Sequence, residues 1–221
     1  MQLHVARLIE RIGPLFEQNF AERGELGAAF SVWQNGEPLL DLCGGFRNAG
    51  REQSWTPDTI VLFWSATKGL GSACVLHVLQ ENGIGLKRRV AEFWPKFAQA
   101  GKTEVSLAQL LSHQAGLAAL DIAVDILDYD AVIDALERQA PVWHPGSAHG
   151  YHARTFGFLL DELVRQISGI SLGTYWRQAF TDPLRLDLWI GLPERENPRA
   201  ATIYAANRAR RPPRRRSIAT L

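Results

Sequence analysis

The sequence lacks the features that mark disulfide-rich, membrane-spanning or nucleic-acid-binding chains. Only two of its 221 residues are cysteines, Cys43 and Cys74, and they do not form a metal-type pair. Its longest apolar runs are far too short to span a membrane. The first twenty residues are amphipathic and charged throughout, unlike a signal peptide. We therefore expect a cytoplasmic protein with free thiols and no membrane partner.

The net charge is also small, but it is unevenly distributed. Arg208–Arg216 holds six arginines and no acidic residue, and removing these six charges from the net +1 leaves −5 on the rest of the chain. Nucleic-acid binding is therefore not expected of the body and is open only to Arg208–Arg216. Because the end of the chain lacks an apolar period, we predict a disordered tail over residues 201–221.

Hydrophobic periodicity predicts strands early in the chain and helices after them. Apolar residues at helical spacing indicate a helix over 3–22, and two apolar runs around Asn35-Gly36 indicate a hairpin with strands near 27–34 and 37–43. The remaining segments with helical patterns are 65–82, 106–116, 129–139, 152–168 and 171–180. This order predicts an α+β fold rather than alternating strand–helix units.

The stretch FWSATKG places Ser65 three residues before Lys68, where a short apolar run passes into a helix. Residues at this spacing share one helix face, so the lysine nitrogen can reach the serine hydroxyl. Burial beside Trp64 and the positive helix end would disfavour the ammonium form and make Lys68 a base for a nucleophilic Ser65. In the structural alternative, Ser65 caps the helix and Lys68 is solvated. The tetrad alone leaves both interpretations open.

Three ordered motifs carry a family resemblance: FWSATKG, SLAQLLSHQAGL at 106–117 and PGSAHGYHARTFGFLLDELVRQISG at 145–169. Together with GELGAAFSVWQNGEPLLDLCGG they resemble the serine β-lactamase-related family of class C β-lactamases, penicillin-binding carboxypeptidases and family VIII carboxylesterases. The resemblance covers roughly residues 15–200. It implies a β-lactamase/transpeptidase-like fold over 1–200, with an antiparallel sheet flanked by helices and a helical lobe.

The resemblance also implies a serine hydrolase that forms an acyl-enzyme and needs no cofactor. Ser65 would be the nucleophile, Lys68 its proton acceptor, and Tyr151 would pass the proton to the leaving group. Ala153 stands where the family's Tyr-x-Asn motif has asparagine. Losing that amide favours small esters over β-lactams, so the expected partner is a small-molecule ester or amide and the expected activity is that of a carboxylesterase.

Several weaker signals surround Tyr151. Trp64, His149 and His152 are candidate substrate-pocket residues, and His113 in LLSHQAGL supports the site at most. The spacing of His144, His149 and His152 is not that of a helical metal pair, and no acidic residue lies among them, so we do not expect a metal.

The sequence departs from the family in its later part. Family members close the site with a late strand that carries Lys-Thr-Gly, His-x-Gly or Trp-x-Gly. Here the last lysine is Lys102, and Trp189-Ile190-Gly191 follows Tyr151 by only 38 residues, so we interpret it as coincidental. We therefore expect a fold that is incomplete at its C-terminal end. An inactive fragment is the alternative to an active esterase, and a D-alanyl-D-alanine carboxypeptidase or β-lactamase is a further one.

Overall fold

The computed structural model describes the backbone of residues 2–205 and the side chains of residues 9–205. The chain divides into two compact units. The described residues up to Leu62, with those from Pro193 onwards, form one unit, and Phe63–Leu192 form the other. Within the described residues, no helix is both long enough and apolar enough to cross a membrane.

The first unit contains helix α1 (Gln2–Glu22) and a hairpin of β1 (Gly27–Gln34) and β2 (Glu37–Gly45), which pair antiparallel with a bulge after Val32. Asn35 and Gly36 both have positive φ, 53° and 81°, as a tight two-residue turn requires. The predicted hairpin is therefore confirmed.

Helix α1 packs on β2 through two aromatic rings. Phe16 and Phe20 meet edge to face at 5.1 Å, and Gly44 of β2 leaves room for both. The small antiparallel sheet is thus covered by a helix, in agreement with the predicted α+β class.

Later residues of the first unit return to its early part. The Ile60 N–H donates to the Arg199 carbonyl oxygen at 3.0 Å, and the Ala201 N–H donates to the Ile60 carbonyl oxygen at 2.7 Å. The Tyr204 hydroxyl accepts from the Ala49 N–H at 3.0 Å. The start of the predicted tail is thus hydrogen-bonded, whereas residues 206–221 lie outside the described part of the chain. The extent of disorder stays a prediction.

The second unit is helical. Its main helices are α2 (Thr67–Glu81), α3 (Leu107–Leu111), α4 (Tyr129–Arg138), α5 (Thr155–Ser168) and α6 (Leu172–Trp176). A π-helical turn, Arg177–Thr181, continues α6, and short 3₁₀ turns form at Trp64–Ala66, Val90–Glu92 and Pro95–Ala98. The Ser106 hydroxyl and the Gln109 side chain cap α3 reciprocally, so the helix begins where its sequence pattern predicts.

Two helix boundaries differ from prediction, and both differences shape the site. Helix α3 ends at Leu111 rather than near Gly116, because His113 has a left-handed φ of 61° that no α-helix accommodates. Helix α5 begins at Thr155 rather than at residue 152. The two loops released in this way, residues 112–117 and 150–154, lie beside each other.

The core of this unit lies where α2 packs against α5 and α6. A Cβ atom on Gly71 would lie 3.1 Å from Leu160 and 3.4 Å from Leu172, so glycine permits the close approach of α2 to both helices. The buried side chains that α2 and α5 contribute are Cys74, Val75, Val78, Leu79, Phe156, Leu159, Leu160, Leu163 and Val164. Burying a side chain of this size contributes about 1.5–3 kcal/mol, so this interface is what holds the start of α2 in place.

Candidate active site

Ser65 lies in the 3₁₀ turn Trp64–Ala66, immediately before α2. Trp64 has a φ of 50°, a left-handed conformation that is strained for a tryptophan. The cap position of α2 is Ala66, and no side chain caps its start. Ser65 therefore does not serve as a helix cap, and its hydroxyl accepts a hydrogen bond from Lys68 Nζ at 3.3 Å.

Tyr151 completes a cluster of three polar side chains. Lys68 Nζ lies 5.0 Å from the centre of the Tyr151 ring. A hydrogen bond to Ser65, and to a smaller extent one to Lys68, lowers the pKa of the Tyr151 phenol below its ordinary value of 10.0. The structure thus brings Ser65, Lys68 and Tyr151 together, and the Tyr151 phenol loses its proton more readily there than a free tyrosine does. Such perturbed groups are concentrated at functional sites.

The loop that carries Tyr151 is fixed by the neighbouring LLSHQAGL loop. The Gly150 N–H donates to the His113 carbonyl oxygen at 3.1 Å, and the His152 N–H donates to His113 Nδ1 at 3.2 Å. The Leu117 N–H in turn donates to His152 Nε2 at 3.0 Å. Tyr151 therefore lies between two residues that are both hydrogen-bonded to His113, a role that the sequence only hinted at.

The candidate pocket histidines occupy other positions. His152 is fully buried, and because its Nε2 accepts from Leu117, its Nδ1 is the donor to the Gly150 carbonyl oxygen at 2.6 Å. Burial lowers the pKa of the His152 imidazole. His152 is therefore buried and does not line the cavity that Lys68 lines. His149 is exposed and does not line the cavity described next. Among the described residues, no cluster of histidine, cysteine or acidic side chains is arranged to hold a metal ion.

A cavity of about 360 Å³ lies beside the polar cluster. Its lining residues are Trp64, Thr67, Lys68, Gly71, Tyr129, Arg154, Phe156, Gly157, Phe158, Leu160, Asp161, Leu172 and Ile190. The lining is largely apolar and aromatic, with Lys68 as the link to Ser65. Ile190, the middle residue of the Trp-x-Gly sequence, forms part of the wall.

Trp64 is a cavity residue, but it does not bury Lys68 as expected. Its side chain is 69% exposed, and Lys68 is only half-buried. The left-handed φ of Trp64 accompanies this outward placement. Ala153, whose side chain carries no amide, is exposed.

Comparison with known proteins extends these observations. The family model described as Beta-lactamase matches residues 15–220. Esterase/beta-lactamase LipL of Mycobacterium tuberculosis is 33% identical over 83% of this chain and 43% of its own length. Esterase EstB of Burkholderia gladioli is 27% identical over 92% of this chain and 50% of its own length.

Solved structures give the same result. A penicillin-binding protein homologue from Caulobacter crescentus superposes with a TM-score of 0.83 and 41% identity over 88% of this chain and 53% of that chain. A family VIII carboxylesterase superposes with a TM-score of 0.80 and 39% identity, over 87% of this chain and 54% of that chain. The chain thus spans about half the length of the relatives it matches. It has the β-lactamase/transpeptidase fold and belongs to the Beta-lactamase family of hydrolases, in which its relatives include esterases.

Proposed function

We propose that the chain is a serine hydrolase that forms an acyl-enzyme at Ser65 and acts as a carboxylesterase on small esters. The observation that carries this proposal is the cluster of Ser65, Lys68 and Tyr151, in which Lys68 donates to the serine hydroxyl and the pKa of Tyr151 is lowered. A nucleophile within reach of a base, with a third group that orients them, is the general arrangement of covalent catalysis.

In the first half of the proposed reaction, the Tyr151 phenolate takes the proton of the Ser65 hydroxyl as Oγ attacks the ester carbonyl carbon. The carbonyl π electrons move to its oxygen and give a tetrahedral oxyanion. When the oxyanion collapses, the ester C–O bond breaks, the alkoxide takes the proton from Tyr151 and leaves as an alcohol, and the acyl group stays on Oγ. The resemblance implies that Lys68 accepts the serine proton, but because Nζ donates to Oγ we instead propose that Lys68 orients Oγ and stabilises the phenolate.

In the second half, water repeats these steps in reverse order. Tyr151 removes a proton from water, the hydroxide oxygen attacks the acyl carbon, and Ser65 leaves with the proton returned by Tyr151. The products are a carboxylic acid and free enzyme. The Ser65 backbone N–H lies at the start of a helical turn, where N–H groups have no intrahelical partner, and we assign it as one donor to the oxyanion.

Two features support a small ester as the substrate class. Ala153 supplies no side-chain amide for the carbonyl of a β-lactam or peptide, and an ester, whose leaving group is better, depends less on that contact. The 360 Å³ cavity is within the range of small-molecule sites and is mainly apolar. Two relatives also carry the word esterase in their names. A carboxypeptidase or β-lactamase activity is less favoured on the same grounds.

Hydrolysis of short-chain nitrophenyl esters tests the proposal. We expect turnover by the purified chain, with an initial burst of nitrophenol equal to the enzyme concentration if deacylation is slow. Ser65→Ala should abolish turnover, and Ser72→Ala, which changes a serine within the following helix α2, should retain it. Equal activity of the Ser65→Ala variant and the wild type would disprove the assignment. An inactive wild type that is folded would favour the inactive-fragment alternative.

A further inference from the structure

We propose that His113 is the positioning residue that holds Tyr151 against Ser65 and Lys68, and that it does so only while its imidazole is neutral. This inference rests on the proposed function, because it assigns a supporting residue to the same site. Its evidence, however, is geometric and independent of any substrate.

His113 is hydrogen-bonded to both of the residues that flank Tyr151 in the chain. The His113 carbonyl oxygen accepts from the Gly150 N–H at 3.1 Å, and its Nδ1 accepts from the His152 N–H at 3.2 Å. The backbone on either side of Tyr151 is thus fixed by a single residue. A side chain held at both flanks loses little further freedom when it reacts, which is the condition for efficient catalysis.

The His113 imidazole also contacts the tyrosine itself. The His113 and Tyr151 rings meet edge to face with centres 5.3 Å apart. On its other side the imidazole packs against the Phe156 ring at 4.2 Å, at the start of α5. Tyr151 is 54% exposed, and the His113 imidazole contacts part of the side chain that is covered.

The backbone conformation of His113 also supports this role. Its φ of 61° is left-handed, a conformation that is unfavourable for a residue other than glycine. This backbone ends α3 and turns both the carbonyl oxygen and the imidazole towards the Tyr151 loop. Strain retained beside a reactive group is consistent with a functional requirement for this geometry.

The dependence on charge follows from the direction of the hydrogen bond. Because Nδ1 accepts from the His152 N–H, protonation of Nδ1 would place two donors opposite each other and break the bond. The groups that face the imidazole are the His152 ring at 5.2 Å, the Lys68 ammonium, His149 and the Tyr151 phenol. Burial, and then the charges of His152, Lys68 and His149, lower the pKa of His113 below 6.5 and keep it neutral near pH 7.

Two variants that both lack the imidazole ring differ in whether they keep a side-chain hydrogen-bond acceptor. His113→Asn keeps an acceptor, since asparagine carries Oδ1 where histidine carries Nδ1, and asparagine tolerates a left-handed φ. His113→Gly removes the acceptor and the ring but keeps the main-chain carbonyl, and glycine adopts this φ without strain. Thermal unfolding of both variants tests whether each is folded.

The primary measurement is the pKa of Tyr151, followed by NMR of the chain labelled with ¹³C at the tyrosine ring. The chain has four tyrosines, and Tyr151→Phe assigns the signal. We expect the lowered pKa to persist in His113→Asn and to return towards 10 in His113→Gly. In the wild type the Tyr151 signal should also shift as pH falls below 6.5, and this step should be absent from His113→Asn.

Ester kinetics provide the second measurement. We expect kcat to fall at least about tenfold in His113→Gly with little change in KM, and to stay within about threefold of the wild type in His113→Asn. A His113→Gly variant that keeps both the lowered Tyr151 pKa and kcat would overturn the proposal, as would equal losses in the two variants. If the wild type hydrolyses no ester, the proposed function fails, and the NMR titration still decides the role of His113. If His113→Gly does not fold, the role of His113 is decided by whether the shift of the Tyr151 signal below pH 6.5 is present in the wild type and absent from His113→Asn.

Discussion

Lys68 Nζ and Ser65 Oγ are 3.3 Å apart across the first turn that leads into α2. The contact spans the i and i+3 positions, which share one helix face. A lysine that donates to a serine hydroxyl and also lies 5.0 Å from the Tyr151 ring couples the proposed nucleophile to the proposed base.

Replacing Lys68 by methionine should impair acylation of Ser65. Methionine keeps an unbranched side chain of similar length but cannot donate to Oγ or stabilise a phenolate at Tyr151. We expect kcat/KM for a nitrophenyl ester to fall about 10²–10⁴-fold, the usual contribution of acid–base catalysis. Lys87→Met, which changes an exposed lysine in the same unit, is the matched control and should retain activity. Equal rates for the two variants would remove Lys68 from the mechanism.

Ala153→Asn should shift the substrate preference towards amides. Position 153 is exposed, so the larger side chain fits without repacking. A new hydrogen bond to a substrate carbonyl contributes about 1 kcal/mol, which corresponds to roughly a fivefold change in rate. The measurement is the ratio of kcat/KM for a chromogenic β-lactam to that for a nitrophenyl ester, in wild type and variant. An unchanged or lower ratio would show that Ala153 does not set the preference.

Filling the apolar cavity should select against bulky acyl groups. Gly157 of α5 lines the cavity, and a Cβ there would have no atom within 4 Å. Gly157→Ala and Gly157→Leu both replace a glycine within a helix, which should stabilise the fold by roughly 0.5–1 kcal/mol. Only the leucine side chain extends into the cavity. We expect Gly157→Leu to raise KM for hexanoate over acetate esters, with Gly157→Ala unchanged. Identical chain-length profiles would place the acyl group elsewhere.

Lys102 should stabilise α4 from inside the core. It is fully buried, and Nζ donates to the carbonyl oxygens of Glu137 at 2.9 Å and Gln139 at 2.5 Å, just where α4 ends. Lys102→Met leaves both acceptors unpaired, so we expect the free energy of unfolding at pH 7 to fall by about 2 kcal/mol or more. Urea denaturation measures this change, and Lys96→Met, which changes an exposed lysine, is the control.

The same residue gives a pH signature. Burial lowers the pKa of Lys102 to about 8 from 10.5, against the opposing charges of Asp121 and Glu137. Between pH 8 and pH 10.5 the unfolded chain binds more protons than the folded chain, so the Lys102 contribution to stability rises with pH, by on the order of 3 kcal/mol. The buried Cys74 thiol, with its pKa raised to about 12, has the opposite effect above pH 9. The stability difference between wild type and Lys102→Met isolates the lysine, and it should widen from pH 8 to 10.5. A constant difference would contradict the account.

Much of the fold was predictable because its signals are local. The Asn35-Gly36 turn, the capping box that begins with Ser106, and the helical periodicities all act within a few residues. The early end of α3 was not predictable, because the left-handed conformation of His113 is held by contacts with residues almost forty positions later.

The candidate site was predictable in part. The ordered motifs brought Ser65, Lys68 and Tyr151 into one hypothesis, and the structure places their side chains together. The exposure of Trp64 and the burial of His152 depend on tertiary packing that no local pattern reveals. An aromatic residue or a histidine next to a reactive residue in sequence can point into the core as readily as into a cavity.

The most direct test of the central claim is covalent labelling of Ser65 with a fluorophosphonate, located by peptide mass spectrometry. We predict that one equivalent of probe is bound to Ser65, and that the labelling rate falls in Lys68→Met and Tyr151→Phe but not in Lys87→Met. Labelling of a folded chain at another serine, or no labelling at all, would contradict the assignment of Ser65 as an activated nucleophile.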